Sequence, residues 1–424
     1  MTNFLFVSLE ALSTDLAWQL TKAGHSVRLF TKSQSEKDVG DGFVDKADAW
    51  EPLKDWAEVI VFDDIGFGEL AEKLRSEGKS VVGGSVYTDK LENDREFGQT
   101  ELRDSGVSTL QSWNFTSFDE AIQFVKTNPN RYVIKPSGNA QNEKELLFVG
   151  EEEDGKDVEQ VLVHYKLKWA NKIKFFQIQK YEMGVEVGIG AFFNGHDFVS
   201  PINFNFEHKR LFPNNIGPST GEMGTAMYWS KSNPLFESTL LKTKERLAAS
   251  KYVGYIDLNC IANSKGIFPL EWTSRFGYPT ISIQMEGVTS EWGAFLADIA
   301  QGKDAQLKTK KGYQVGVVIA IPPFPFEDDK AFRKYSEDAT ILFRKQNLNG
   351  VHIGEVKLVD GDWHVAGRSG YALVVTGSGP SMQDAINSAY QAVKNVMIPN
   401  MFYRDDIGQR WFKDVDLLLS WGYL

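Results

Sequence analysis

The N-terminal part of the chain alternates short apolar runs with amphipathic segments, and this pattern limits the possible folds more than any other feature of the sequence. Apolar runs such as NFLFVS are typical of buried strands, and the segments between them have the apolar spacing of helices. The predicted strands are 3–8, 26–31, 58–63 and 80–84, and the predicted helices are 13–23 and 67–76. The alternation predicts a small parallel sheet covered by helices, ending near Leu91.

The length of the chain predicts more than this one unit. Single cores stop growing near roughly 250–300 residues, so 424 residues indicate roughly two to four subdomains. From residue 93 the pattern changes to a helix at 94–105 and then mostly to strands, including a hairpin around Asn194-Gly195. A third block begins with a buried strand at 313 and contains a helix at 381–396. We therefore predict an α/β domain at 1–92, a strand-rich domain at 93–310 and a mixed α/β domain at 311–424.

Composition excludes several classes of function. A net charge of −11 disfavours nonspecific binding to nucleic acid or to a membrane surface, since both are polyanionic. The single cysteine, Cys260, cannot form an intrachain disulfide, and no apolar stretch approaches the roughly 20 residues of a membrane span. The six histidines show no HExxH spacing. We expect a cytoplasmic protein that acts on small molecules.

A glycine-rich segment at 207–226 (EHKRLFPNNIGPSTGEMGTA) is the strongest local signal. Its glycines surround Ser219 and Thr220, and such a loop can bring backbone N–H groups close to an anion. Composition alone leaves a flexible surface loop equally plausible. The acidic run at 151–157 is predicted to be a solvated loop, because it lacks the pattern of a Ca²⁺ loop.

Two further patterns concern charged residues on strands. The pattern of residues 252–280 predicts a hairpin that places Asp257 and Glu271 on adjacent strands. Paired carboxylates of this kind are what Mg²⁺ requires beside phosphates. Two exposed strand carboxylates without a metal are the simpler interpretation. Lys135 ends a strand at 131–136 and precedes a loop of small residues, Ser137-Gly138-Asn139-Ala140. Without other information, a lysine that extends to solvent from the strand end is favoured there.

Taken together, these segments resemble the phosphoribosylamine–glycine ligase family of the ATP-grasp superfamily. The loop at 217–224 (GPSTGEMG) is similar to the family's GPNTGGMG, and 270–279 (LEWTSRFGYP) is similar to EFNxRFGDPE. The C-terminal 402–408 (FYRDDIG) is similar to the closing FYRRDIG. The resemblance spans nearly the whole chain and implies an ATP-grasp fold with an N-terminal α/β domain and a C-terminal closing domain.

The resemblance also implies roles for individual residues. It places Lys135 and Arg95 on the phosphates of ATP, with Tyr181 at the adenine hinge and Glu186 on the ribose hydroxyls. It places Mg²⁺, with Mn²⁺ as a substitute, on Glu271, on Thr273 in place of an asparagine, and on Asp257. Arg275 faces the transferred phosphate and acts with Lys135 in catalysis. The residues implied for the amino-acid substrate are Ser219, Thr220, Gly221, Met223, Gly224 and Arg275.

The chain departs from the family pattern at the N-terminus. The family carries GGREHA after its first strand to receive the phosphate of phosphoribosylamine, whereas residues 8–15 read SLEALSTD, with two acidic residues and no glycine. Neither close backbone approach nor positive charge is offered to a phosphate there. Two smaller departures are Ser219 for asparagine and Glu222 for glycine in the loop.

The implied activity is an ATP-dependent carboxylate–amine ligase that works through an acyl phosphate. The leading hypothesis is the joining of glycine to phosphoribosylamine in purine synthesis, by a monomer or homodimer. The first alternative is a related ligase that acts on another amine or amino acid, which the changed N-terminal loop favours. The second is a noncatalytic nucleotide-binding protein, which Lys135, Glu271 and Arg275 argue against.

Overall fold

The computed structural model describes residues 1–137 and 146–424. It confirms a mixed α/β protein built from several sheets. Most predicted segments of regular structure are present, with ends that differ by at most three residues from the predicted ones.

The N-terminal module is the predicted parallel sheet with helices. Its strands are β1 (Asn3–Ser8), β2 (Ser26–Thr31), β3 (Val59–Phe62) and β4 (Ser80–Val82), in the order β2-β1-β3-β4. Its helices are α1 (Thr14–Lys22), α2 (Gly68–Ser76), α3 (Val86–Asn93) and α4 (Arg95–Asp104). Phe4 and Phe6 of β1 pack in one core while Leu5 and Val7 pack in another. The strand is therefore buried on both faces, which explains its unbroken apolar run.

A small lobe follows, with an antiparallel sheet in the order β5-β8-β6-β7. Its elements are β5 (Ser112–Phe115), α5 (Phe118–Thr127), β6 (Tyr132–Pro136), β7 (Phe148–Val149), α6 (Lys156–Trp169) and β8 (Phe176–Lys180). The lobe has its own core, in which the rings of Phe118 and Phe176 stack with centroids 4.7 Å apart. Of the predicted solvated loop at 151–157, residues 151–154 are exposed, whereas Gly155 is buried and Lys156 already begins α6.

The centre of the molecule is an eight-stranded sheet in the order β15-β14-β9-β10-β13-β16-β21-β18. The elements from the middle of the chain are β9 (Val185–Asn194), β10 (Phe198–Glu207), β11 (Arg210–Phe212), β12 (Ile216–Ser219), β13 (Gly224–Ser230), α7 (Pro234–Ser238), α8 (Lys244–Ala249), β14 (Val253–Asn263), β15 (Gly266–Thr273), α9 (Thr280–Gly287), α10 (Trp292–Ala300) and β16 (Tyr313–Ala320). β9 and β10 form the predicted hairpin around Asn194-Gly195, and β14 and β15 form the second one.

The C-terminal part completes this sheet and adds a smaller one, β19-β20-β17-β22. Its elements are α11 (Asp329–Tyr335), β17 (Thr340–Phe343), β18 (Val351–Ile353), β19 (Val356–Val359), β20 (Asp362–Val365), β21 (Tyr371–Gly379), α12 (Met382–Val393), β22 (Val396–Met397) and α13 (Trp411–Ser420). Because β16 pairs with β13, the division proposed at 310 separates segments that share one sheet.

The N-terminal and C-terminal parts contact each other directly. Asp15 Oδ2 lies 2.7 Å from His352 Nδ1 in a buried pair, and Trp363 packs edge-on against Phe43 with centroids 4.9 Å apart. Among the described residues, no helix has the length and apolar character needed to cross a bilayer.

Candidate active site

Polar side chains cover one face of the central sheet where β9, β10, β14 and β15 lie side by side. Alternate residues of a strand point to the same face, so a polar residue at every second position creates a polar surface. Asp257 lies opposite Thr273, and Asn259 lies opposite Glu271. The residues of this face are Glu186, Gly188, Gly190, Asn205, Glu207, Asp257, Asn259, Glu271 and Thr273.

Two glycines of β9 make room on this face. A Cβ atom on Gly190 would overlap the Tyr255 hydroxyl, and one on Gly188 would lie 3.3 Å from Asp257 Oδ2. Larger residues would therefore displace the side chains of β14 that lie across these positions.

A cavity of about 720 Å³ lies over this face and reaches the N-terminal module. Its volume is in the range of small-molecule sites. Six of the site residues predicted from the sequence line it, namely Arg95, Gly221, Asp257, Glu271, Thr273 and Arg275. Residues that the sequence did not single out also line it, including Asp64, Glu92, Glu207, Lys209, Asn259 and Glu327.

Lys209 connects three carboxylates of the site. Its Nζ lies 2.9 Å from Glu271 Oε1, 3.0 Å from Glu186 Oε1 and 3.3 Å from Glu207 Oε2. Burial opposes its charge, but the three carboxylates raise the pKa of Lys209 well above its usual value. The sequence showed Lys209 only as part of a basic HKR stretch, because its partners lie on strands far apart in the chain.

Asn259 and Asp257 are held in place from neighbouring strands. Asn259 Nδ2 donates to Glu207 Oε2 at 2.9 Å and to Glu186 Oε1 at 3.0 Å, while its Oδ1 has no hydrogen-bond partner within residues 1–137 and 146–424. Asp257 accepts from Asn205 Nδ2 at 2.9 Å and from the Tyr255 hydroxyl at 3.2 Å. Burial, helped by the charge of Glu207, raises the pKa of Asp257 to about 7.

Lys135 and Arg95 form a positive region beside this face. Lys135 lies at the end of β6 and only 6% of it is exposed, so it does not extend to solvent. Burial, together with the positive charge of Arg95, lowers the pKa of Lys135 to about 7. The loop predicted after this lysine, including Gly138, Asn139 and Ala140, lies outside the described residues. Tyr181 packs its ring 3.6 Å from the Arg131 guanidinium.

Arg275 lies at the other end of the cavity, between two carboxylates. Its guanidinium is 3.2 Å from Glu92 Oε1 and 3.3 Å from Asp64 Oδ1. Although burial disfavours its charge, Glu92 and Asp64 raise the pKa of Arg275. The two carboxylates fix the side chain and neutralise it in part.

The glycine-rich loop forms a short β11–β12 ladder that folds back on its own base. Thr220 N donates to Lys209 O at 2.7 Å, and Met223 N donates to His208 O at 2.8 Å. Ser219 pairs with Arg210 in this ladder, so it lies beside the loop's base. Met223 is fully buried, and a Cβ on Gly224 would lie 2.5 Å from the carbonyl oxygen of Gly316. Both residues therefore pack into the protein interior. Gly221 and Glu222 line the cavity.

The end of the cavity nearest the N-terminal module is acidic. Glu10 and Asp64 line it, and Asp63 lies beneath it with its Oδ2 accepting from Ser13 N at 3.0 Å and from Ser13 Oγ at 2.7 Å. Ser13 immediately precedes α1, so a carboxylate of the protein itself occupies the N-terminal end of this helix, a position that favours anions.

Oxygen ligands for a divalent cation are present on the polar face. Within residues 1–137 and 146–424, no three His, Cys, Asp or Glu side chains are grouped to hold a metal ion. Mg²⁺ usually takes only one or two carboxylates and shares the rest of its shell with water and nucleotide phosphates. The unpartnered Asn259 Oδ1 beside Glu271, and the carboxylate of Asp257, fit that requirement.

Two family models match the chain: phosphoribosylglycinamide synthetase, ATP-grasp (A) domain, over residues 93–281, and its C domain over 314–410. The phosphoribosylamine–glycine ligase of Streptococcus pneumoniae is 23% identical over 359 residues, with 83% of each chain covered. The ligase of Listeria innocua is 24% identical over 403 residues, covering 91% of this chain and 90% of its own.

Solved structures show the same fold. The phosphoribosylamine–glycine ligase of Thermotoga maritima has a TM-score of 0.72 at 21% identity, covering 96% of this chain and all of its own. The biotin carboxylase domain of the Hydrogenobacter thermophilus 2-oxoglutarate carboxylase was solved with MgADP and bicarbonate. It has a TM-score of 0.67 at 13% identity, and the match covers 99% of this chain and 97% of that domain.

The fold and the cavity over the central sheet define an ATP-grasp protein. Both family models come from one family and together match about two thirds of the chain. The chain is therefore a ligase of the phosphoribosylglycinamide synthetase family, as the sequence motifs indicated.

Proposed function

We propose that this protein uses ATP to activate the carboxylate of glycine as an acyl phosphate and joins it to the amine of phosphoribosylamine. The observation that carries the proposal is the cavity itself, whose wall combines Arg95 for phosphates, oxygen ligands for Mg²⁺ and the fixed guanidinium of Arg275. The named activity of the Streptococcus and Listeria relatives supports this pair of substrates.

ATP is proposed to lie between the small lobe and the polar face of the central sheet. Lys135 and Arg95 supply positive charge for the phosphates, and the burial of Lys135 means that a phosphate there would meet little competing water. Glu186 is the proposed ligand of the ribose hydroxyls, and Tyr181 lies at the proposed adenine hinge.

The proposed cation site consists of Glu271, Asp257 and Thr273, with Asn259 as a further oxygen ligand opposite Glu271. Mg²⁺, or Mn²⁺ in its place, supplies charge stabilisation on the ATP phosphates when it is bound. Lys209 holds the Glu271 carboxylate at 2.9 Å, so it orients this ligand before nucleotide enters.

The chain's own part in the chemistry is positioning and charge stabilisation. The carboxylate of the amino acid attacks the γ-phosphate, and the charge that develops on the transferred group is met by Arg275 and Lys135. The amine then attacks the acyl carbon and inorganic phosphate leaves. Glu92 and Asp64 hold the Arg275 guanidinium so that it needs little reorganisation during phosphoryl transfer.

A second candidate is the same ligase chemistry with a different amine. The observation that favours it is the Asp63 carboxylate at the start of α1, together with Glu10 and Asp64 in the cavity wall. A phosphate brought to this end would meet negative charge and no added cation from residues 8–15.

An amine screen distinguishes the two candidates. ADP release is measured with ATP, Mg²⁺ and glycine, using phosphoribosylamine in one arm and unphosphorylated amines in the other, on the native protein and on Glu10→Arg. If phosphoribosylamine is strongly preferred and Glu10→Arg changes nothing, the first candidate holds and the acidic wall is irrelevant. If unphosphorylated amines give faster ADP release, and Glu10→Arg increases the release with phosphoribosylamine, the second candidate holds.

We propose that the protein works in the cytoplasm, as a monomer or a homodimer, on small-molecule substrates. Sedimentation velocity with and without ATP would give the oligomeric state. The alternative of a noncatalytic nucleotide-binding protein requires ADP release to be absent with every amine and amino acid tested.

A further inference from the structure

Glu222 is a buried carboxylate of the active-site cavity that the proposed chemistry leaves unused. It lies in the glycine-rich loop, lines the cavity and is only 6% exposed. Its Oε1 has no hydrogen-bond partner in the described part of the chain. An unpaired carboxylate oxygen in a buried place costs free energy, unless a ligand supplies the missing donor.

The surroundings of Glu222 add negative charge. Burial, together with the charges of Glu207 and Asp257, raises the pKa of Glu222 well above its usual value. Lys209 is the nearby cation, but it already lies within 3.3 Å of three other carboxylates, those of Glu186, Glu207 and Glu271. A cationic group of a ligand would therefore be favoured beside Glu222.

A second unpartnered polar group, on another element, is close enough to feel the charge of Glu222. The hydroxyl of Tyr371, at the start of β21, is buried and has no hydrogen-bond partner within the residues described. The charges of Glu222 and Glu355 act on this hydroxyl, and the Tyr371 and Glu222 side chains do not bond to each other. An ammonium group has three N–H donors, so one such group of a ligand can serve more than one acceptor.

Resting on the ligase function proposed above, we propose that Glu222 determines specificity by accepting hydrogen bonds from the ammonium group of the amino acid whose carboxylate is activated. The family pattern has glycine at this position, so the contact is particular to this chain. The substrate class is a zwitterionic amino acid, since one ligand then carries both the activated carboxylate and the ammonium group. Charge-assisted hydrogen bonds of this kind are stronger than neutral ones.

The test compares two ligands that differ only in this group. Glycine and glycolate have the same carboxylate and similar size, but glycolate has a hydroxyl instead of the ammonium. Calorimetric titration of each into the protein with Mg²⁺ and a non-hydrolysable ATP analogue should show glycine binding about tenfold or more tighter. Glu222→Gln should reduce that preference to about twofold or less, and Glu222→Asp should retain part of it.

Several results would overturn the proposal. One is a native protein that binds glycolate as well as glycine, and another is a Glu222→Gln variant that keeps the native preference. Loss of Mn²⁺ binding in Glu222→Gln, with the glycine preference intact, would assign Glu222 to a metal instead. Unchanged binding of the ATP analogue shows that the variants are folded.

Failure of the ligase function has a separate signature. Binding is measured without turnover, so the ammonium contact is tested whether or not ADP is released. Glycine-dependent ADP release in the presence of hydroxylamine, which traps an activated carboxylate, tests the ligase reaction itself. If hydroxylamine traps the activated carboxylate but Glu222→Gln keeps the native preference for glycine over glycolate, the ligase function stands and only the role of Glu222 is wrong.

Discussion

At the residue scale, Lys209 shows why part of the site could not be predicted. Its ammonium contacts Glu186 on β9, Glu207 on β10 and Glu271 on β15, which are distant in sequence. The predicted hairpin indicated Glu271, and family resemblance indicated Glu186. Lys209 was visible only as one of three basic residues. Spatial grouping of charges depends on strand order in the sheet, which periodicity does not reveal.

Glu271→Gln should nearly abolish turnover and leave the fold intact, since it removes a charged ligand of the proposed Mg²⁺ site but preserves shape. ADP release and thermal unfolding measure the two effects. Glu237→Gln, on the exposed face of α7, is the matched control and should behave as the native protein. Undiminished ADP release by Glu271→Gln would remove this residue from the metal site.

Lys135 should make ATP binding depend on pH. Its pKa of about 7 lies below the usual 10.5, so above pH 7 the free protein holds it mostly neutral, whereas phosphates favour the charged form. The affinity for ATP should then fall as pH rises above 7, by up to about tenfold per pH unit.

Variants at Lys135 separate this effect from the titration of ATP itself. Lys135→Arg keeps its charge and should flatten the dependence of the ATP Kd on pH. Lys135→Ala should raise the KM for ATP most at or below pH 7, and progressively less above it, where the native lysine is mostly neutral. Lys126→Ala, an exposed lysine of α5, serves as control. Equal pH profiles for native protein and Lys135→Arg would contradict the assignment.

At the element scale, the strands were predicted better than their register. The hairpin of β14 and β15 was expected from 252–280, and the structure confirms it. Asp257 and Glu271 lie on adjacent strands, as predicted. A bulge between Asn259 and Cys260 shifts the pairing by one residue, so that Asn259 lies opposite Glu271 and both carboxylates are on one face of the sheet. A single extra residue of this kind leaves no clear trace in sequence.

The C-terminal segment after β22 secures the base of the glycine-rich loop. Arg404 is only 1% exposed, and its guanidinium donates to both oxygens of Asp406, at 2.8 and 2.7 Å. It also donates to Arg210 O at 2.9 Å and to Asn215 Oδ1 at 3.0 Å. The family-like FYRDDIG sequence therefore acts on the substrate loop from a distance in the chain.

Arg404→Met should lower the free energy of unfolding by about 3 kcal/mol, because it leaves several buried acceptors without a donor. It should also raise the KM for the amino acid more than the KM for ATP, since the loop loses its support. Urea unfolding and steady-state kinetics measure both. Arg333→Met, on the exposed face of α11, is the control. Equal free energies of unfolding for Arg404→Met and Arg333→Met would show that Arg404 does not stabilise the base of the glycine-rich loop.

At the scale of the whole molecule, the cavity is assembled from parts of the chain that local sequence patterns treat separately. Asp64 comes from the N-terminal module, Glu271 from the central sheet and Glu327 from the segment after β16. The strand and helix periodicities predicted each part, and motif resemblance predicted the ATP-grasp arrangement. The position of Asp63 at the start of α1 could not be foreseen, since it depends on how β3 ends beside β1.

Oxygen transfer from the carboxylate tests the central claim most directly. Glycine labelled with ¹⁸O in its carboxylate is incubated with the protein, ATP, Mg²⁺ and the amine found active in the screen, and the released phosphate is analysed by mass spectrometry. An acyl-phosphate route moves one labelled oxygen into each phosphate formed, in proportion to the amide produced. ADP release without label in the phosphate, or release that does not need a carboxylate, would contradict the ligase assignment.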